Sequence, residues 1–70
     1  MQAVAVGTVM WFNTTKGFGF IAPDGEEDEV FVQYSDIEGH GYRTLYEDQR
    51  VSFDIDHDGR GPRAVRVRGL

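Results

Sequence analysis

Glycine and proline residues recur so often along this 70-residue chain that long helices are excluded. Nine glycines and two prolines are spread through the sequence, and no segment of ten or more residues keeps an apolar period of 3.6. Short runs rich in β-branched and aromatic residues alternate with turn residues, as they do in all-β proteins. We predict strands at residues 4–13, 17–23, 29–33, 49–56 and 63–69.

The lengths of the connections favour one small closed barrel. Five strands with a single long connection after the third, at residues 35–48, fit a five-stranded antiparallel β-barrel of the OB type. Residues 1–70 would form one domain with a thin core, because a chain this short buries only about 60% of the surface it exposes when unfolded. Apolar alternation predicts these core positions: Val6, Val9, Ile21, Val30, Val32, Ile37, Val51, Phe53, Ile55, Val65 and Val67.

Two of the predicted strands place aromatic residues opposite this interior. Side chains alternate between the two faces of a strand, so Phe18 and Phe20 share one face. The alternate valines of the next strand are natural core residues, which turns Phe31 outward. Exposed rings on neighbouring strands form a surface on which unpaired nucleobases can stack, although the same rings could instead cover the core.

The charge distribution limits how such a surface could bind nucleic acid. The chain carries 12 acidic and 7 basic residues, a net charge of −5, whereas nucleic-acid-binding domains are usually basic. Nine of the acids lie between residues 24 and 53, and residues 1–23 carry one lysine and no acid. The composition is therefore compatible with binding through stacking and disfavours binding driven by phosphate contacts.

The run KGFGFI at residues 16–21 also fits the start of the RNA-binding signature of RRM domains, K/R-G-F/Y-G/A-F-V-x-F/Y, with isoleucine for valine. Pro23 then stands where that signature has an aromatic residue. An RRM also needs two amphipathic helices, and its other aromatic motif precedes this one, whereas here the second aromatic motif follows. An RRM fold is therefore disfavoured.

Three consecutive blocks of the sequence resemble a bacterial cold-shock protein. They are GTVMWFN at residues 7–13, KGFGFI at 16–21 and DEVFVQYS at 28–35, and residues 41–45 and 59–64 resemble later landmarks of the family. The resemblance covers essentially the whole chain in order. It implies an OB-type barrel that binds single-stranded RNA and DNA, acts as an RNA chaperone and regulates transcription or translation, often in cold or stress.

The resemblance also implies which residues bind nucleic acid. Phe18 and Phe20 correspond to the central stacking rings of the family, and Phe31 corresponds to the third. Tyr34 and Tyr42 stand where the family usually has phenylalanine, and a phenol ring can still stack. The predicted nucleic-acid-binding residues are Trp11, Phe12, Asn13, Lys16, Phe18, Phe20, Phe31, Gln33, Tyr34, Tyr42 and Arg60.

Three of these positions, on the first strand, have a second interpretation. Strict alternation gives Trp11 the same parity as the core residue Val9, so either the strand bulges or the assumed register is off by one. Phe12 fits the edge of the aromatic surface or the core. Asn13 could hydrogen-bond a base edge or merely hold the turn that follows it.

The remaining positions also have structural alternatives. Lys16 could contact a phosphate or simply be solvated. Tyr34 could end a strand, Tyr42 could anchor a loop, and Arg60 could merely belong to a turn. The arginines at 63, 66 and 68 are expected on the outward barrel face rather than in a binding stripe.

Two departures from the family pattern predict weaker binding with less dependence on salt. Gln33 stands where histidine is usual, which removes a ring but keeps hydrogen-bonding capacity. Met10 stands where lysine is common, which removes a phosphate partner. Few neutralised phosphates imply only a modest effect of ionic strength on affinity.

Catalysis and metal binding find little support in the sequence. Cysteine is absent, and His40 and His57 are isolated, so we expect no metal site, no cofactor and no enzyme activity. No apolar stretch approaches the roughly 20 residues that span a bilayer, and we expect a cytoplasmic monomer without membrane contact. The alternative function is an acidic OB-type module whose aromatic face binds a protein partner.

Overall fold

The computed structural model describes residues 4–39, 43–58 and 61–70. The five strands are β1 (Ala5–Asn13), β2 (Phe18–Pro23), β3 (Val30–Gln33), β4 (Arg50–Asp58) and β5 (Gly61–Gly69). A short 3-10 helix at Tyr34–Asp36 follows β3. All five predicted strands are confirmed. Among the described residues no helix is long and apolar enough to cross a membrane.

The strands close into a barrel in the order β1-β2-β3-β5-β4, which confirms the predicted all-β architecture. Four of the pairings are antiparallel, whereas β3 meets β5 in parallel orientation at Phe31 and Arg63. A bridge between Ile37 and Val67 continues this contact. One parallel pair is unavoidable, because an odd number of strands cannot alternate in direction all the way around a closed barrel.

The interior agrees with the predicted core at most positions. The prediction is wrong for Val6 and Val65, which are only half-buried, whereas Ile55 is half-buried and packs against the core. Leu45 and Ala64 were not predicted and are buried. The confirmed core residues are Val9, Ile21, Val30, Val32, Ile37, Val51, Phe53 and Val67.

A bulge in β5 explains the error at Val65. Asp54 pairs with Val65 but Ser52 pairs with Arg68, so two residues of β5 stand opposite one residue of β4. Arg66 accommodates the bulge with a φ of 51°, in the left-handed region. The extra residue breaks the strict alternation, so Ala64 and Val67 face the core although they are three residues apart.

A second bulge, in β1, determines the orientation of Trp11. Val9 pairs with Ile21 and Trp11 pairs with Phe20, so Met10 is an extra residue in β1. Val9 is fully buried, whereas Trp11 is 42% exposed. Of the two alternatives that the sequence left open for Trp11, the bulged strand is therefore correct.

Arginines on the outer surface of the barrel are paired with carboxylates. Arg50 donates two hydrogen bonds to Asp24 and one to Thr8. The hydrogen bonds from Arg50 hold the pKa of the Asp24 carboxyl below its ordinary value. The ion pairs are Arg50–Asp24 at 2.7 Å, Arg63–Asp36 at 3.8 Å, Arg66–Asp54 at 2.5 Å and Arg68–Glu38 at 2.7 Å. The arginines at 63, 66 and 68 thus lie on the outward face, as the sequence predicted.

Because of the β5 bulge, Val67 is more deeply buried than Val65. Truncating the two side chains should therefore lower the free energy of unfolding by different amounts. Val67→Ala should lower the free energy of unfolding by roughly 2 kcal/mol, because it removes two methyl groups from a fully buried site. Val65→Ala should lower it by about 1 kcal/mol or less, since Val65 is half-exposed. Urea denaturation of both variants gives the comparison. Equal losses would contradict the bulged register.

Candidate nucleic-acid interface

Four aromatic rings from three neighbouring strands form one continuous cluster on the outside of the barrel. Trp11 belongs to β1, Phe18 and Phe20 to β2, and Phe31 to β3. The ring centroid of Trp11 lies 5.6 Å from that of Phe18 and 5.5 Å from that of Phe20. The centroid of Phe31 lies 5.8 Å from each of the same two rings. We call these four rings the aromatic surface.

The strand register produces this arrangement. Trp11 is paired with Phe20, and Phe20 is paired with Phe31, so three rings form a row across β1, β2 and β3. Phe18 lies two residues before Phe20 and therefore on the same face. Side chains at paired positions on one face are close enough to touch.

The four rings of the aromatic surface are partly buried and partly exposed to solvent. Trp11 is 42% exposed, and Phe18, Phe20 and Phe31 are half-buried. Each ring contacts two others in a tilted or edge-to-face arrangement, which is favourable for aromatic pairs. The rings thus hold one another in place, and a base that stacks on them meets a surface already arranged for it.

Gly19 lies between the two phenylalanines of β2 and allows β1 and β2 to approach closely. A Cβ atom at Gly19 would collide with the carbonyl oxygen of Trp11 and would come within 2.8 Å of the Cα atom of Phe12. These are backbone atoms, which cannot move away without disturbing the strand pairing. The small residue between Phe18 and Phe20 is therefore a condition for the aromatic surface to form.

Gly17 has a related role at the start of β2. Its φ is 78°, in the left-handed region that glycine adopts without strain, and a Cβ atom there would lie 2.8 Å from the ring of Tyr34. The backbone N–H of Tyr34 donates a 2.8 Å hydrogen bond to the carbonyl of Gly17. Tyr34 is 56% exposed and is thereby held next to Gly17, the residue that precedes Phe18. Gln33 is exposed and is paired with Phe18, so both residues lie at this end of the aromatic surface.

The other predicted residues of β1 and its turn have different positions. Phe12 is partly buried and packs against the core, so it is not part of the aromatic surface and the core alternative is correct. Asn13 accepts a 2.9 Å hydrogen bond from the backbone N–H of Lys16 through its side-chain oxygen, as a turn-holding residue does. Lys16 is exposed in that turn, next to Gly17. Tyr42 and Arg60 lie outside the described residues, and their roles stay predictions.

One exposed ring near β1 was not selected from the sequence. Tyr46 is 68% exposed and lies in the part of the long connection that directly precedes β4. An aromatic residue among polar turn residues was the available signal. No apolar periodicity accompanies Tyr46, because the segment around it is neither helix nor strand.

A groove of about 660 Å³ lies elsewhere on the barrel, between residues 35–39 and strands β4 and β5. It contains none of the four rings of the aromatic surface. Its charged lining residues are Asp36, Glu38, Asp56, Arg43, Arg63 and Arg66. Acids and arginines balance there, so the groove has no net attraction for a polyanion. No group of three or more potential metal ligands occurs in the described ranges.

Comparison with known proteins places these features in a family context. The sequence matches the family model of the 'Cold-shock' DNA-binding domain over residues 5–70. It is 56% identical over 64 residues to probable cold shock protein A of Mycobacterium tuberculosis, across 91% of this chain and 96% of that protein. Cold shock-like protein CspA of Vibrio cholerae is 46% identical over 70 residues, with both chains fully covered. In both cases the alignment covers nearly the whole of both chains.

The fold is also similar to that of a solved structure with a distant sequence. The structure of drosophila Unr (CSD456) matches 99% of this chain with a TM-score of 0.82 and 19% sequence identity. The match spans 27% of that longer chain. At this identity the similarity concerns the fold alone, and it supports the barrel architecture.

Substituting Gly19 tests whether close approach of β1 and β2 builds the site. Gly19→Ala should destabilise the protein by roughly 1–3 kcal/mol, because the new methyl group meets the backbone of β1. Gly69→Ala is the matched control, since a Cβ atom there meets only the side-chain nitrogen of Gln49. Urea denaturation followed by Trp11 fluorescence measures both. A Gly19 variant as stable as the control would overturn the argument.

Proposed function

The chain belongs to the cold-shock DNA-binding domain family, and from that membership we propose that it binds single-stranded RNA and DNA by stacking unpaired bases on the aromatic surface. Proteins of this family bind nucleic acid and are not enzymes. The observation that carries the proposal is the row of Trp11, Phe20 and Phe31 across three strands, partly exposed and in mutual contact. A row of rings on a sheet accepts successive bases of one strand, whereas bases inside a duplex are paired and stacked already.

The energetics of stacking fit an acidic protein. Stacking of a base on an aromatic side chain contributes about 1–3 kcal/mol and tolerates every base, because each base has a π face. Three or four such contacts give useful affinity without a strongly basic groove. The exposed acids at residues 24–29 follow the far end of β2, beyond the row of rings, so they place no carboxylate within the row itself.

The cations of the barrel support the same mode of binding. Four arginines are paired with carboxylates on the outer surface. Lys16 belongs to none of the ion pairs among the described residues and lies at the aromatic end of β2. A bound strand would therefore gain few phosphate contacts, and most of its affinity would come from its bases.

The cellular role we propose follows from this preference for unpaired strands. A protein that binds only single strands withdraws them from the duplex equilibrium by mass action and keeps transcripts unpaired without ATP. Such a protein acts as an RNA chaperone and can regulate transcription or translation. A cytoplasmic location and a monomeric state are part of the same proposal.

Removing single rings tests the stacking mechanism. Phe20→Ala and Phe31→Ala should each weaken binding of a single-stranded heptamer by about fivefold to a hundredfold, since each removes one stacked base contact. Titrations followed by Trp11 fluorescence measure this, with pyrimidine-rich and purine-rich strands and with duplex DNA. Leu70→Ala is the control, because Leu70 is 75% exposed at the end of the chain.

Two outcomes would contradict the stacking proposal. Ring variants that bind as tightly as the control would show that the bases lie elsewhere. A wild-type protein that ignores every single strand would favour a protein partner on the aromatic surface instead. Circular dichroism of each variant shows whether the barrel has formed.

The dependence of affinity on salt concentration tests whether the bound strand makes few phosphate contacts with the protein. If only one or two phosphates are neutralised, for example by Lys16 and Arg60, log K should fall with log[salt] at a slope of about −0.7 to −1.4. Raising the salt concentration fourfold would then weaken binding roughly threefold to sevenfold. A slope of about −4 or steeper would mean that phosphates dominate the contact.

A further inference from the structure

The segment before β4 runs alongside β1. Thr44 and Thr14 share a 2.9 Å hydrogen bond between their hydroxyl oxygens. Five residues earlier on β1, the N–H of Asp48 donates to the carbonyl of Val9 at 2.8 Å, and the N–H of Val9 donates to the carbonyl of Gln49 at 2.9 Å. These contacts anchor the segment at both ends of the stretch of β1 that contains Trp11.

The position of Tyr46 follows from the two anchors. Residue 46 lies midway between Thr44, which is level with Thr14, and Asp48, which is level with Val9. Tyr46 therefore lies on the part of the segment between these two contacts, which flank Trp11 on β1. Leu45 is buried with 4% exposure while Tyr46 is 68% exposed, so the tyrosine side chain points outward as Trp11 does.

An exposed apolar side chain precedes Trp11 on β1. Met10, the bulged residue of β1, is 41% exposed and directly precedes Trp11. Its backbone neighbour Val9 holds the turn that contains Asp48 and Gln49. Met10 is thus an exposed apolar side chain directly between the residue that holds this turn and Trp11 in the sequence of β1.

The backbone around Tyr46 is fixed by its own hydrogen bonds. The N–H of Tyr46 donates to the side-chain oxygen of Gln49 at 3.0 Å, and the N–H of Gln49 donates to the carbonyl of Tyr46 at 3.0 Å. Asp48 completes the turn with a φ of 69°. A ring on such a turn needs little further ordering when a ligand stacks on it, which favours affinity.

We propose that Tyr46 is an additional base-stacking residue, which extends the aromatic surface beyond Trp11 and binds the nucleobase that follows the one on Trp11. This rests on the proposed function, because the strand must already lie on the aromatic surface to reach Tyr46. The contact is one of base on ring. Glu47 and Asp48 are exposed beside Tyr46 and repel a phosphate, so the backbone of the strand passes on the other side of the base.

The experiment varies the length of the strand and the residue at position 46. Oligothymidines of four to nine nucleotides are titrated against the wild type, Tyr46→Ala, Tyr46→Phe and the control Leu70→Ala, with Trp11 fluorescence as the signal. For the wild type we expect affinity to rise about fivefold or more at the length whose last base reaches Tyr46. Tyr46→Phe should keep this rise and Tyr46→Ala should lose it. All four proteins should bind the shorter strands equally.

The outcomes separate this proposal from the proposed function. If Tyr46→Ala shows the same rise with length as the wild type, Tyr46 does not bind a base and the stacking on the other four rings still stands. If Tyr46→Ala binds every length more weakly by one constant factor, the tyrosine acts on the barrel and not on a terminal base, which also overturns the proposal. If the wild type binds no strand of any length, both proposals fail together.

Discussion

The pairing of β1 with β2 is the constraint on which the rest of the site depends. Gly19 lets the two strands approach until a Cβ atom would collide with the backbone of Trp11 and Phe12. The extra residue Met10 then shifts the register by one, so that Trp11 and Phe20 become direct neighbours. Without the bulge, Trp11 would share the inward parity of Val9 and the row of three rings would lose its first member.

The two faces of β2 have different roles, since one packs in the core and the other belongs to the aromatic surface. Ile21 faces the interior and is fully buried, while Phe18 and Phe20 lie on the other face in contact with Trp11 and Phe31. A barrel of this size has few core residues, so large apolar rings on its outer face must gain stability by contacts other than burial in the core. The mutual contacts of the rings supply part of it, which explains why the phenylalanines are half-buried instead of fully exposed.

The distribution of charge explains how a protein with a net charge of −5 belongs to a nucleic-acid-binding family. The arginines at 50, 63, 66 and 68 are engaged by carboxylates on the outer surface of the barrel. Where such pairs are exposed, as at Arg50 and Arg68, they add little to stability, but all four neutralise cations that would otherwise attract phosphates. In the proposed mode of binding, the affinity for a strand therefore comes mainly from the rings.

The sequence by itself determined the all-β architecture, the positions of the five strands and most of the core, because alternation and turn residues are local signals. It also identified Phe18, Phe20 and Phe31 as outward-facing rings. Their neighbours Ile21, Val30 and Val32 are core residues, so the alternation turns the phenylalanines outward. Three things were decided only by the tertiary structure. The bulges at Met10 and Arg66, which reorient Trp11 and exchange Val65 for Ala64, depend on how neighbouring strands pair. The placement of Phe12 against the core follows from the first bulge. The position of Tyr46 beside β1 depends on hydrogen bonds between residues thirty or more positions apart, and no local pattern of side chains can encode such a contact.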